Sequence, residues 1–396
     1  MTASIEIFQR QLLEQAQRNL YENPISEATQ RAFMATPRHL FVKRYRELGV
    51  KEWNEVAEAN LESHLGRLYR DGGLILCGDG DNASSAISQP SLVLGMLDML
   101  RLEPGHKVFE LGVASGWNAA LMGRLVGPIG HVYSLEIIPE MARTAAANIA
   151  QLDIKNVSVI EGDAGDGYAS GAPYDRAVFT AGAYDIPHAF FEQIKDGGLL
   201  LIVIKNEGGG DNLFLLRKNG DHFESLKSAT CFFVPMTGKY RVDGLDPVVL
   251  ETVPEWPDIK DKKLGVREFW WGAKGKMYWD LKTVGMRCFL SFSEPLFMTF
   301  KTVKTLSQPI EEPYFGLWDK DNQSLVLAKG DSLISYGSPA AERRLMEHVH
   351  HWVDLGMPNA ASFDLKVYPL AANLQPAPNR WIVKRKQAQF VWSLPA

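Results

Sequence analysis

The chain reads as α/β: a doubly wound, mostly parallel sheet with helices on both faces, followed by a smaller α+β unit. Three observations predict this. Short apolar runs alternate with helical segments from residue 90 to 235, the texture of strands that crossover helices bury on both faces. A glycine-bearing turn, Glu110-Leu-Gly112-Val-Ala114-Ser115-Gly116, joins the first of these strands to a helix. After residue 262 the texture changes to strand-like runs with polar turns and a single helical stretch.

Taken in order, residues 4–22 predict an amphipathic helix with Ile5, Phe8, Leu12 and Leu13 on one side, and 27–36 a second helix ending before Pro37. Residues 43–70 are charged and are assigned to no element. His106–Leu111, Gly130–Leu135, Val157–Glu161, Arg176–Thr180 and Gly198–Ile204 predict strands. Trp117–Val126, Pro139–Leu152 and Pro187–Lys195 predict the helices between them. Leu213–Arg217 and Phe223–Ser228 predict a hairpin about Asn219-Gly220-Asp221. Residues 244–262 are rich in Pro, Asp and Glu and predict a linker. Beyond it, Lys282–Phe300 and Tyr314–Ile334 predict strands, Pro339–Asp354 a helix, and Asp364–Pro369 and Trp381–Trp392 strands. The expected organisation is a domain at 1–243, a linker at 244–262 and an α+β domain at 263–396.

Composition narrows the function. The 396 residues are long for one domain and comfortable for two, and 46% apolar with 22% charged is an ordinary globular balance. A net charge of −5 argues against a general nucleic-acid binder, which needs a basic face. Cys77, Cys231 and Cys288 lie far apart, giving neither a disulfide framework nor a metal spacing. His348, His350 and His351 do not all share one helix face, so surface histidines are expected and no metal is assigned. Met1 to Gln17 has no continuous apolar core, and no run reaches the ~18 apolar residues of a membrane span. The expectation is a cytoplasmic protein without membrane partners. The aromatic cluster Phe269-Trp270-Trp271 with Tyr278 and Trp279 reads first as local core.

The glycine turn carries the chemistry. Gly112 and Gly116 permit close approach of a ligand to backbone N–H groups. Glu136 ends the next strand, placed to accept from two ribose hydroxyls, and Asp163 follows the third strand, placed to accept from an adenine amino group. Glu110 precedes the turn; it would repel nucleotide phosphates and suit a cation. Three acids at successive strand ends thus fit a ligand with a ribose, an amine and no phosphate, which points to S-adenosylmethionine.

These segments resemble the protein-L-isoaspartate O-methyltransferase family over residues 27–240. Phe33-Met-Ala-Thr-Pro37-Arg38-His39-Leu-Phe41-Val42 resembles its N-terminal helix and Pro-Arg turn, and Ala86-Ile87-Ser88-Gln89-Pro90 its active-site segment. Val108 to Asn118 resembles its cofactor loop, Tyr133 to Glu140 its ribose strand, and Gly162-Asp163 its adenine turn. Pro173-Tyr-Asp175-Arg176 with Thr180-Ala181, and Phe233-Val-Pro235-Met-Thr237-Gly238, resemble its fourth and closing strands. The resemblance implies a Rossmann-like class I S-adenosylmethionine-dependent methyltransferase domain that releases S-adenosylhomocysteine. It makes Ser88 the catalytic residue, and Ile87, Ser88, Gln89, Glu110, Gly112, Ala114, Ser115, Gly116, Glu136, Ile137, Asp163, Ala164, Thr180 and Thr237 the cofactor-binding set. Three features depart from the family: Ala86 stands for threonine, Ala114 for the middle glycine, and 43–85 is longer than usual. An alanine at 114 either avoids positive φ or bears strain.

The layout as a whole resembles a two-domain subgroup associated with ribosomally synthesised, post-translationally modified peptides. The segments that carry this are Tyr314 to Asp319, Ser335 to Pro339 and His348 to Pro358. The resemblance implies methylation of an aspartyl side chain in a precursor peptide, recognised through the C-terminal domain, with the ester collapsing to succinimide and then isoaspartate. Alternatives are isoaspartate repair, and a non-catalytic fold that only binds peptide. A carboxylate is ionised at pH 7, so no general base is assigned. Hydroxyl or nitrogen transfer would call for a base or an aromatic amine pocket, and neither signature is present.

Overall fold

The computed structural model of the protein describes residues 2–20, 24–78, 83–206, 211–231, 233–245, 247–269, 281–302 and 313–394. Contacts divide the chain into two units. One comprises Met1–Val203, Leu213–Leu226 and Phe233–Arg241, the other Ile204–Asn212, Lys227–Phe232 and Val242–Ala396.

The first unit opens with helices α1 (Thr2–Asn19) and α2 (Glu27–Met34). The Ser26 hydroxyl caps α2 by accepting from the Thr29 amide at 3.2 Å. Two small antiparallel ladders follow, β1 (Arg44–Tyr45) with β2 (Asn54–Glu55), and β3 (Leu74–Cys77) with β4 (Ser85–Ile87). Helix α3 (Leu61–Leu68) comes between them in sequence, and α4 (Pro90–Leu100) follows with proline in its first turn. β1 and β2 are too short to show a period, and the one regular helix in 43–70, α3, spans only eight residues, with Leu61, His64, Leu65 and Leu68 buried.

The main sheet is built from β5 (Lys107–Leu111), β6 (His131–Glu136), β7 (Val157–Glu161), β8 (Tyr174–Ala183), β9 (Ile194–Ile204), β10 (Asp211–Asn219) and β11 (His222–Cys231). Their order is β11-β10-β9-β8-β5-β6-β7. β5 is parallel to both β6 and β8, and β7 is parallel to β6. Helices α5 (Trp117–Val126) and α6 (Pro139–Ala150) form the first two crossovers. The chain runs outward from β5 to β7 and then returns to β8 on the other side. That reversal makes a topological switch point between β5 and β8, where α/β sheets bind ligands. The register sets Leu111 beside Leu135 and Phe179, and Glu136 beside Glu161, so the carboxyl ends share one edge. Phe109 is fully buried, with Phe190 at 5.3 Å, and Leu200 to Ile204 are buried throughout.

The second unit corrects two expectations. Residues 244–262 are not a linker. They form the strand Val248–Val249 and the helix Trp256–Ile259, and Leu250 and Ile259 are buried with Phe300, Tyr314 and Trp318. Their apolar side chains, spaced between the prolines and acids, decide the outcome. Leu281–Ser293 is a helix rather than a strand. Every residue from Gly285 to Leu290 is buried, Arg287 among them, so the helix shows no solvent face over that stretch. A Cβ at Gly285 would come within 2.9 Å of the Pro358 carbonyl. Five strands lie side by side and antiparallel, in the order Phe297–Lys301, Pro313–Asp319, Ser324–Lys329, Ser332–Gly337 and Lys263–Glu268, and Arg380–Lys384, Ala388–Ser393 and Asp364–Pro369 form a further antiparallel set in that order.

Helix Ala340–Asp354 buries Leu345, Val349 and Trp352. His348 on that helix is not a free surface histidine: its Nε2 lies 2.8 Å from the buried Glu294 carboxylate, which also pairs with Arg344. Burial works against that carboxylate, but His348 and Arg344 outweigh it and hold its pKa at about 2. Residues 270–280, with Trp270, Trp271, Tyr278 and Trp279, lie outside the described residues. No helix among the described residues is long and apolar enough to cross a membrane. Leu345 has no exposed surface, so Leu345→Ala is expected to cost ~2–5 kcal/mol. A denaturant midpoint shift worth under about 1 kcal/mol would contradict this packing.

Candidate active site

A cavity opens at the carboxyl edge of β5, β6 and β8. It is closed by Ser84–Ser88 on one side and Phe233–Thr237 on the other. The second wall is held by backbone bonds: the Gly182 amide donates to Val234 at 2.7 Å, and the Met236 amide donates to Gly182 at 2.8 Å. Of the residues expected to contact the cofactor, Ile87, Ser88, Glu110, Gly112, Ala114, Ser115, Glu136, Ile137, Asp163, Ala164, Thr180 and Thr237 line the cavity.

Two do not. The Gln89 amide turns away and donates to Asp71 and to Ser91, each at 3.0 Å. Gly116 starts α5 at φ +86°, and a Cβ there would meet the Ala145 carbonyl and the Ile149 side chain at 3.1 Å. Its glycine serves the approach of α5 to α6. Thr180 lines the cavity, but its hydroxyl is tied to the carbonyls of Leu111 at 2.8 Å and Gly112 at 2.5 Å. It anchors the loop, and a Cβ on Gly112 would lie 2.7 Å from its oxygen.

The acids build the loop's shape. Ala114 sits at φ +47°, so the strained alternative is realised. Its amide donates to Glu136 Oε2 at 2.9 Å, while Glu136 Oε1 accepts from the Ile138 amide at 3.1 Å. Asp163 accepts from the Gly165 amide at 2.9 Å and the Lys239 amide at 2.7 Å. Each oxygen so engaged keeps a lone pair for a ligand hydroxyl or amine. Glu110 is fully buried and accepts from Asn118 Nδ2 at 2.6 Å and from the Ser134 hydroxyl. Burial, against those two hydrogen bonds, pushes its carboxyl up to about 7. Sequence reasoning missed Asn118 and Ser134. Ser134 is the register neighbour of Glu110 on β6, legible only once the strands are paired.

Among the described residues the lining includes three carboxylates and no lysine, arginine or histidine. That donor set fits S-adenosylmethionine: a positive sulfonium and amine are welcome, phosphates are not. Glu136 and Asp163 would hold its nucleoside, and Glu110 would face its charge. Among the described residues no cluster of three or more His, Cys, Asp or Glu is placed to hold a metal ion.

The raised Glu110 pKa sets a sign. The folded state binds this proton more tightly than the unfolded chain, so the contribution is fully present below the unfolded value and is lost as pH rises through about 7. Glu110→Gln, which mimics the neutral acid, removes the dependence. Between pH 4.5 and 8, without ligand, wild type is expected to lose roughly 3 kcal/mol relative to the variant. Parallel urea-midpoint curves would overturn the assignment.

Comparison with known proteins gives the same answer. Residues 9–241 match the family described as Protein-L-isoaspartate(D-aspartate) O-methyltransferase (PCMT). A protein-L-isoaspartate O-methyltransferase of Ignicoccus hospitalis is 34% identical over 230 residues, covering 57% of this chain and 98% of its own. One from Methanothrix thermoacetophila is 42% identical over 154 residues, covering 39% of this chain and 72% of its own. A solved structure titled protein-L-isoaspartate O-methyltransferase is similar over 90% of this chain and 96% of its own, with a TM-score of 0.52. At 22% identity that likeness speaks to fold alone. The chain belongs to the protein-L-isoaspartate O-methyltransferase family and is an S-adenosylmethionine-dependent carboxyl O-methyltransferase.

Proposed function

We propose that this site methylates the free carboxylate of an isoaspartyl or aspartyl residue in a peptide or protein, with Ser88 orienting the reacting oxygen. The observation that carries the reading is Ser88 itself. It lines the cavity, is half-buried, and its hydroxyl has no hydrogen-bond partner among the described residues. A free hydroxyl beside a cavity without cations can donate to a carboxylate oxygen without quenching it as an arginine would.

The cofactor supplies a methyl group on a cationic leaving group. The protein's own part is positional. A substrate carboxylate arrives ionised at neutral pH and calls for no base, and among the described residues the lining holds no histidine, lysine, cysteine or tyrosine. Phe233, Val234, Pro235 and Met236 form an apolar wall. A dry wall favours a transfer in which opposite charges are neutralised. The ester can then lose methanol as the following backbone nitrogen attacks, giving a succinimide that water opens to aspartate or isoaspartate. That phase needs no side chain of the enzyme.

The relatives' names favour isoaspartate repair as the setting. Maturation of a precursor peptide is the second reading. It is supported by Ser84 and Ser85, at the end of the lengthened 43–85 segment, which line the cavity. The second unit alone does not favour it, since a solved structure titled as an isoaspartate methyltransferase is similar over 90% of this chain. Labelled-methyl transfer decides between them. An isoaspartyl peptide, its aspartyl twin and a precursor-type peptide are tested with wild type and Ser88→Ala. Transfer to the isoaspartyl peptide, falling ~10-fold or more in kcat in Ser88→Ala, supports repair; transfer to the precursor alone supports maturation. Cofactor binding without transfer to any peptide would sink the catalytic reading in favour of a peptide-binding fold.

A further inference from the structure

Two charged residues outside the cavity grip the segment that carries Ser88. Arg38 is fully buried, in the turn after α2. Its Nη1 donates to the carbonyls of Leu68 at 3.0 Å and Arg70 at 3.2 Å. Its Nη2 donates to Gly72 at 2.9 Å and to Ser88 itself at 3.1 Å, with Ile87 at a longer 3.5 Å. The guanidinium also lies 5.5 Å from the ring centroid of Trp117, the first residue of α5. Burial lowers the Arg38 pKa to about 10, which still leaves it charged at neutral pH.

Asp71 takes the same segment from its other end. Its Oδ1 accepts from the Ser91 amide at 2.7 Å, and its Oδ2 from Gln89 Nε2 at 3.0 Å and Asn19 Nδ2 at 2.5 Å. Burial opposes its ionisation, but the Ser91 amide, Gln89 and Asn19 outweigh it and hold its carboxyl below the usual range. The cation collects carbonyls at 87 and 88, and the anion collects donors at 89 and 91. A rigid fork and a two-oxygen acceptor therefore fix this stretch between them.

We infer that Arg38 and Asp71 are positioning residues for the methyl transfer: together they set the place of Ser88, and neither touches the substrate. The inference rests on the reading of Ser88 given above. It also gives Gln89 a role that its turn away from the cavity leaves open, as the link through which Asp71 holds the segment.

The test is a set of kcat measurements at saturating isoaspartyl peptide, with cofactor Kd and melting temperature measured on the same full-length proteins. Asp71→Asn puts an amide donor where two amide donors already point; Arg38→Lys keeps the charge and loses the fork. Each is expected to lower kcat ~10- to 100-fold with cofactor Kd within ~3-fold. If the two residues act through Ser88, then Ser88→Ala combined with Asp71→Asn is no slower than Ser88→Ala alone. Losses that multiply in the double variant, or an unchanged kcat in Asp71→Asn, would overturn the inference while leaving Ser88 in place. A loss confined to melting temperature and cofactor Kd would do the same, by reducing both residues to structural supports. An unchanged kcat in Ser88→Ala would instead defeat the reading beneath it. Should Arg38→Lys not fold, the Asp71→Asn comparisons decide alone.

Discussion

The bond from the Ala114 amide to the Glu136 carboxylate holds together two things that the rest of the site needs. It fixes the turn after β5, and it fixes the acid at the end of β6. Ala114 is left-handed at φ +47°, which costs a residue with a Cβ roughly 1–2 kcal/mol. A hydrogen bond to a carboxylate contributes roughly 1.5–3 kcal/mol, so the bond is strong enough to hold the strained turn. The same carboxylate accepts from Ile138 at the entry to α6. One side chain thus ties together the loop, the second strand and the second crossover helix. A glycine at 114 would relieve the strain, yet alanine is tolerated because this anchor is present.

Charge follows from that arrangement. Glu110, Glu136 and Asp163 are brought to one edge by parallel register, and no basic side chain joins them in the lining. Glu136 and Asp163 each accept hydrogen bonds from two backbone amides. Glu110 has only neutral donors and complete burial, so it lacks the counter-charge that a buried carboxylate requires. A cationic ligand would supply that counter-charge. The acid is costly to bury alone and favourable beside a sulfonium, so the site is matched to a charged ligand rather than merely shaped to one.

Much of this was legible in the residues. The alternation of apolar runs and helices located β5 to β9, because strands buried on both faces need uninterrupted apolar stretches. The acids at strand ends could be placed by counting. What could not be read was anything set by long-range pairing. Ser134 reaches Glu110 only through register, and Gln89 leaves the cavity because Asp71 lies 18 residues upstream in sequence and close in space. Gly116 sits beside the ligand loop but serves the packing of α5, while Thr180 lines the cavity and also anchors the loop through its hydroxyl. Leu281–Ser293 was misread for a related reason: a helix buried on nearly every side has no amphipathic stripe. At 244–262 composition misled, since Pro, Asp and Glu surround apolar residues that pack into a core.

The makeup of the lining also restricts the chemistry. Among the described residues the lining offers no lysine, arginine or histidine, which favours a nucleophile already ionised near pH 7. A carboxylate, with a reference pKa near 4, meets that condition; a lysine amine near 10.4 or an unactivated hydroxyl does not. Selectivity for carboxylates over the more numerous amines and hydroxyls of a protein surface therefore need not come from a dedicated recognition group. The lining favours that outcome, and orienting the reacting oxygen is the task proposed above for Ser88.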